Sequence, residues 1–232
     1  MTISKHSSPL CTVITNDGEE RLVKVVRQGR HEANITKRLL ELVSGQQRKS
    51  TPFLVDMILR DVPTRPDLTI IQMPDGGVRI TGYKRLHSDL FGLTIQLLNG
   101  VSFLHEHGIA HLDLKPDNIL VTSTGKLNII DFSISVFAEK DTKMKRLVGT
   151  YGFMAPEVLQ DEEYAVFPVD VYGTGRVIEE MTSKSRGIAS YMLNKLVTRL
   201  KSKLPVERLT AKQTADALQW GYAGLATLLL HT

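Results

Sequence analysis

Two short polar islands carry the side chains best suited to chemistry. The first is His111-Leu112-Asp113-Leu114-Lys115-Pro116-Asp117-Asn118, and the second is Asp131-Phe132-Ser133. They hold two carboxylates, an amide and a lysine between apolar runs. Asn118 and Asp131 offer hard oxygen atoms of the kind Mg²⁺ accepts, and Asp113 is a candidate base. Such a set, brought together, suits Mg²⁺ and phosphate groups.

The neighbouring elements must do that positioning. Ile119-Leu120-Val121 and Leu127-Asn128-Ile129-Ile130 flank the polar, glycine-containing Thr122-Ser123-Thr124-Gly125-Lys126, which reads as a β-hairpin. Asp113 and Asn118 precede its first strand and Asp131 follows its second, so the hairpin predicts all three at one end. Ser88 reads as the N-cap of a helix with Leu90, Leu93, Leu97, Val101 and Leu104 on one face, ending at His105, His107 and Gly108. Upstream, Leu10–Thr15 and Arg21–Val26 predict strands around the turn Asn16-Asp17-Gly18. Glu32–Val43 predicts a helix through Ile35, Leu39 and Leu42, and Phe53–Leu59 and Leu68–Met73 predict further strands. Pro74-Asp75-Gly76-Gly77 breaks the pattern sharply. Downstream, 134–152 reads as a long, mobile loop, followed by a helix capped by Asp170 and running to Met181. Two further helices are predicted, about Ile188–Lys201 and Thr210–Trp220. The plan is α+β, with a small β-rich first part and a larger helical second part.

Composition narrows the setting. The chain has 232 residues, 42% hydrophobic and 23% charged, enough for a sizeable core. Its net charge of +4 is scattered, the densest group being Lys140, Lys143, Lys145 and Arg146, so nucleic acid is not expected as a partner. With Cys11 as its one cysteine, the chain forms no internal disulfide and no cysteine-based zinc site. No apolar run approaches the roughly 20 residues that span a bilayer, and the first nine residues lack the apolar core of a signal peptide. A soluble, intracellular protein is expected, cytoplasmic before nuclear, with no membrane partner.

The first island resembles the catalytic loop of the eukaryotic-type protein kinase family, of the serine/threonine type, and Asp131-Phe132-Ser133 resembles its magnesium-binding motif. Ala155-Pro156-Glu157 is similar to the motif that closes the activation segment. Asp170-Val171-Tyr172-Gly173-Thr174-Gly175 is similar to the start of the central helix, and Arg208 lies where the family pairs an arginine with the glutamate at Glu157. The resemblance covers most of the chain and implies a two-lobed kinase fold. Residues 1–73 would form a reduced N-terminal lobe, 74–78 a hinge and 79–232 the C-terminal lobe. It implies that Asp113 orients the acceptor hydroxyl, that Lys115 stabilises the transferring phosphoryl group, and that Asn118 and Asp131 hold Mg²⁺. Lys24 and Glu32 would form the pair that ties the first helix to the phosphates of ATP. His111 reads as a packed, hydrogen-bonded histidine rather than a catalyst. Thr150 falls where serine/threonine kinases keep a threonine near the catalytic aspartate and lysine.

Three departures from the family pattern stand out. Gly18 is the one glycine before Lys24, so a glycine-rich phosphate loop is expected to be missing along with the first strand of the usual sheet. Leu22 stands where a small alanine commonly faces the adenine. Leu112 replaces the arginine that anchors a phosphorylated loop, which predicts weak dependence on loop phosphorylation, and Ser133 replaces a glycine able to adopt positive φ. The leading expectation is a Mg²⁺- and ATP-dependent serine/threonine kinase acting on a protein substrate. The alternative is a kinase-mimic binding module with weak or no ATP binding, acting on a partner such as another kinase. A small-molecule phosphotransferase fits less well, given Lys115, Ala155-Pro156-Glu157 and the Asp170 helix. The short stretch between Met181 and Ile188 predicts that the helix kinases offer there to substrates is shortened or absent.

Overall fold

A computed structural model of the chain describes residues 10–14, 20–27, 31–43, 58–74, 77–160 and 162–220. Its first part is a four-stranded antiparallel sheet. Strands β1 (Leu10–Ile14) and β2 (Glu20–Arg27) pair with Leu10 opposite Lys24. The strand β4 (Leu68–Pro74) runs along the other edge of β2 with Lys24 opposite Ile71, and β3 (Ile58–Asp61) pairs with β4. Part of the expected Phe53–Leu59 strand and the turn Asn16–Gly18 lie outside the described residues; the described portion of the former runs on to Asp61. The helix α1 (His31–Val43) buries Ile35 and Leu39, and with them the polar Glu32 and Thr36. Burial of a glutamate demands a partner, and this one has a partner on β2.

After β4 the chain turns through Gly77, at φ 92°. A Cβ there would lie 2.0 Å from the carbonyl oxygen of Val121, so only glycine fits. Beyond it lie β5 (Val78–Arg79) and α2 (Leu86–Glu106). Leu90, Leu93, Leu97, Val101 and Leu104 line the core side of α2 as expected, none more than 1% exposed. Ser88 is not the cap of this helix, which starts at Leu86 with Arg85 as a cap lacking a side-chain bond. The magnitudes explain it: burying Leu86 is worth about 1.5–3 kcal/mol, against about 1 kcal/mol for a serine cap. Ser88 instead bonds the carbonyl oxygen of Arg85 from within the first turn.

The hairpin forms as read, from β7 (Ile119–Val121) and β8 (Leu127–Ile129), with Ile119 opposite Ile129. Short strand β6 (Ile109–Ala110) precedes it. The stretch expected to be an unstructured loop contains β9 (Val136–Phe137), paired with β6, and β10 (Lys143–Met144), paired with β11 (Tyr164–Ala165). The central helix α3 spans Val166–Ser183, so Asp170 is no cap but sits within it, buried. Val166 and Val169 bury in the same way as Leu86, which again sets the start. Helices α4 (Ile188–Leu200) and α5 (Ala211–Gln219) follow, α5 capped by Thr210 in a reciprocal capping box with Gln213. No helix intervenes between Ser183 and Ile188. The result is an α+β fold of two lobes, a small sheet with one helix and a larger, mainly helical lobe.

Candidate active site

Lys24 is the centre of the polar contacts between the lobes. From the middle of β2 its Nζ lies 2.6 Å from Glu32 Oε1 on α1 and 2.7 Å from Asp131 Oδ1 beyond β8. The lysine side chain is 5% exposed and those of its partners 11% and 20%. Two carboxylates thus share one buried cation. Burial works against the charged lysine, but the bonds and charges of Asp131 and then Glu32 outweigh it and raise its pKa. For Asp131 burial pushes upward, yet Lys24 prevails and the pKa falls below its ordinary value. Glu32 goes the other way: burial, aided by the nearby Asp131 charge, outweighs Lys24 and raises it. The two acids compete for one ammonium, and their pKa values move in opposite directions.

That division has a consequence in pH. The stability that Asp131 contributes is full above its ordinary 3.8 and is lost as pH falls through its lower folded value. Glu32 contributes stability below its ordinary 4.5 that is lost as pH rises through its higher folded value. In a Glu32→Gln background, where no second acid can take over Lys24, Asp131→Asn removes the first effect, so urea unfolding between about pH 2 and pH 5 should show a flatter acid limb than with Asp131 in place. An unchanged limb would mean that Lys24 does not hold Asp131.

The second cluster surrounds Asp113. Lys115 Nζ lies 2.7 Å from Asp113 Oδ2, and Thr150 Oγ1 donates to Asp113 Oδ1 at 2.7 Å. Lys115 also donates to Thr150 Oγ1 at 2.8 Å, closing a triangle. Asn118 Nδ2 donates to the main-chain oxygen of Asp113 at 2.8 Å and approaches Oδ2 at 3.2 Å. Hairpin pairing continues past β8, with Ile130 N donating to Asn118 O, so Asp131 emerges one residue beyond Asn118's partner. The expected gathering of Asp113, Asn118 and Asp131 at one end of the hairpin is what the fold produces, and Lys115 joins it through its contact with Asp113.

The loop is braced from below. Asp170 accepts from His111 N and from Leu112 N, each at 2.7 Å, and contacts His105 Nε2 at 3.0 Å. Its side chain is fully buried, and these partners satisfy it. They also hold Leu112 at φ 67°, a left-handed conformation that costs roughly 1–2 kcal/mol for a residue with a Cβ. Asp131 is likewise left-handed, at φ 66°. Ser133 is not among the positive-φ residues, so its replacement of glycine brings no backbone strain of that kind. His111 is a buried structural residue whose Nε2 meets Ile130 O at 3.0 Å and whose ring packs on Phe132. Leu112 fills a separate apolar cluster with Ala110, Val148, Ala155 and Val158, and there a leucine suits the site better than a charged side chain. Arg208 holds Glu157 by two parallel bonds of 2.6 and 2.7 Å, as the resemblance to the family implied. The side chain of Leu22 lies outside the described residues. Sequence reasoning missed the contacts of Asp170 with the loop, because residues 58 and 59 apart leave no periodic signal.

The donor set fits a hard divalent cation. With its amide nitrogen on Asp113, Asn118 has Oδ1 to offer a cation, and Asp131, which meets Lys24 and Ser133 N at Oδ1, has Oδ2 to offer as well. Two protein oxygens are what Mg²⁺ takes when phosphates and water complete its shell. Among the described residues no group of three or more His, Cys, Asp or Glu forms a self-sufficient metal site. No helix among them is long and apolar enough to cross a membrane.

Comparison with known proteins agrees with this geometry. Residues 87–191 match the family model described as the protein kinase domain. The chain is 33% identical over 173 residues to rhodopsin kinase of Rattus norvegicus, covering 70% of this chain and 29% of that protein. It is 37% identical over 123 residues to sperm motility kinase 3A of Mus musculus, covering 53% and 24%. It is 34% identical over 152 residues to the ovarian-specific serine/threonine-protein kinase Lok of Drosophila melanogaster, covering 61% and 32%. The chain belongs to the protein kinase family. It spans roughly a quarter to a third of the length of these relatives.

Proposed function

We propose that the chain is a serine/threonine protein kinase that transfers the γ-phosphoryl group of ATP to a protein hydroxyl with Mg²⁺. One observation carries this reading: the triangle of Asp113, Lys115 and Thr150. A carboxylate held on both oxygens, with a lysine beside it, is set to receive a hydroxyl proton and to balance charge as it develops. Bound ATP with Mg²⁺ would supply the phosphoryl group and neutralise its oxygens. Asn118 and Asp131 would hold the ion, and Lys24, kept in place by Glu32, would face the phosphates. Asp113 takes the proton of the acceptor hydroxyl, and Lys115 offsets the negative charge at the transferring group. The serine/threonine preference rests on Lys115 and Thr150, and the name of the Drosophila relative supports it. We further propose one domain hinged near 74–78, acting inside the cell.

Backbone pairing and a threonine hydroxyl hold the activation segment. Two strand pairings fix it, Glu139 N donates to Thr142 Oγ1 at 2.8 Å, and Val166 N donates to Thr142 O at 3.3 Å. Thr142→Ala should therefore retain transfer activity within an order of magnitude of the wild type, measured with a fixed protein acceptor. Complete loss in Thr142→Ala that an acidic Thr142→Glu restores would show that a phosphate on Thr142 is required. Thr150 is unsuited to that test because it belongs to the triangle.

The proposal is tested by incubating the chain with γ-labelled ATP and a generic protein acceptor, with Mg²⁺ or with a chelator, followed by phosphoamino-acid analysis. Label should appear on serine and threonine with Mg²⁺ alone. Label confined to tyrosine would overturn the serine/threonine assignment.

A further inference from the structure

Arg176 stands on α3 beneath the turn Gly149–Met154 and is joined to it in two ways. Its Nε donates to Gly152 O at 2.7 Å, and its guanidinium lies 5.7 Å from the ring centroid of Phe153. On its other side Nη1 pairs with Glu179, whose carboxylate takes Lys201 Nζ at 2.6 and 2.7 Å. Gly175 lets this happen: a Cβ there would lie 2.9 Å from Lys201 Cγ and 3.0 Å from Leu200 Cβ, so a bulkier residue would push the end of α4 away. The turn is bonded back on itself, Phe153 N and Met154 N donating to Thr150 O at 3.0 and 3.2 Å. Thr150 Oγ1 then bridges Asp113 and Lys115. Direct contacts thus run from α4 through Glu179 and Arg176 to the turn and on to the carboxylate.

We propose that Arg176 is a positioning residue for the acceptor side of the site. By fixing Gly152 and Phe153 it sets where the Thr150 hydroxyl sits, and so the orientation of Asp113 and Lys115 toward an incoming hydroxyl. The inference rests on the kinase reading of the Asp113 site. None of its links touches Lys24, Glu32 or Asp131, so acceptor and nucleotide should respond differently. The guanidinium side chain is 31% exposed, so its loss uncovers little core.

Arg176→Met keeps the stem over Phe153 and removes the donors; Arg176→Lys keeps one charged donor, and Glu179→Gln weakens the brace. Hydrogen exchange at the Phe153 and Met154 amides should quicken about tenfold or more in Arg176→Met, with Ile130 unchanged and Arg176→Lys between. Unchanged protection at Phe153 and Met154 would overturn the proposal. In the labelled-ATP assay, kcat/KM for the protein acceptor should fall roughly 10- to 100-fold with KM for ATP and the melting temperature unchanged. Equal losses toward both substrates, or a matching fall in melting temperature, would show a structural role only and contradict it. If the wild type transfers no phosphoryl group, the kinase reading fails, and the exchange measurement alone decides the role of Arg176.

Discussion

Asp113→Asn should abolish most transfer while leaving the fold intact. The amide has the shape of the carboxylate, and the three donors around it can adjust. Its oxygen can still accept from Lys115, and the Thr150 hydroxyl can turn to accept from the new NH₂. The main chain at Asp113 stays tied by Asn118 Nδ2 and by the bonds of His111 and Leu112 to Asp170. Lost are the negative charge and the basic oxygen that faces an acceptor hydroxyl. A positioned base contributes about 10²- to 10⁴-fold, so kcat should drop by that factor with little change in either KM. Steady-state kinetics and a melting curve on the same preparation check both halves. A variant within tenfold of the wild type would mean that another group orients the hydroxyl.

Lys24→Met should be the costliest single change to stability among the site residues. It leaves Glu32 and Asp131 facing each other in a largely buried setting with no cation between them. Breaking such a pair by removing one partner costs about 3–5 kcal/mol. The cost should depend on pH in a definite sense. Without Lys24 just the bonds from Ser133 stand against the burial of Asp131, the largest influence on it, so its folded pKa rises above the unfolded one, and that of Glu32 rises further. The folded variant then binds protons more tightly than the unfolded chain, so it gains stability as pH falls through those raised values toward about 4. Urea unfolding at about pH 5 and pH 8 should show the gap to the wild type narrowing at the lower pH. A gap that is constant, or no gap at all, would mean that the three side chains do not act as one cluster.

The parts of this molecule that repeat were legible from the chain alone. Leucines spaced along Leu90–Leu104 announced α2, and the apolar runs around Thr122–Lys126 announced the hairpin, because both patterns recur within a few residues. The acidic, amide and lysine positions near Asp113 were legible for another reason: the hairpin's geometry leaves them one place to go. Helix starts were misjudged at Ser88 and Asp170 by the same error, reading a cap from residue type where burial of Leu86 and of Val166 with Val169 decided the matter. Two-residue strands such as β9 and β10 carry no period at all, so they were invisible until their partners Ile109–Ala110 and Tyr164–Ala165 were seen beside them. Arg176 likewise showed nothing in sequence, since its role depends on a glycine turn and a helix end brought to it by the fold.

Whether this fold moves phosphoryl groups is settled most directly by comparing the wild-type chain with Asp113→Asn at saturating Mg²⁺ and γ-labelled ATP, on one protein acceptor. Label entering the acceptor with the wild type, and falling by two or more orders of magnitude in the variant, is the predicted result. Label no greater with the wild type than with the variant would contradict it, and would make the chain a binding module built on a kinase scaffold.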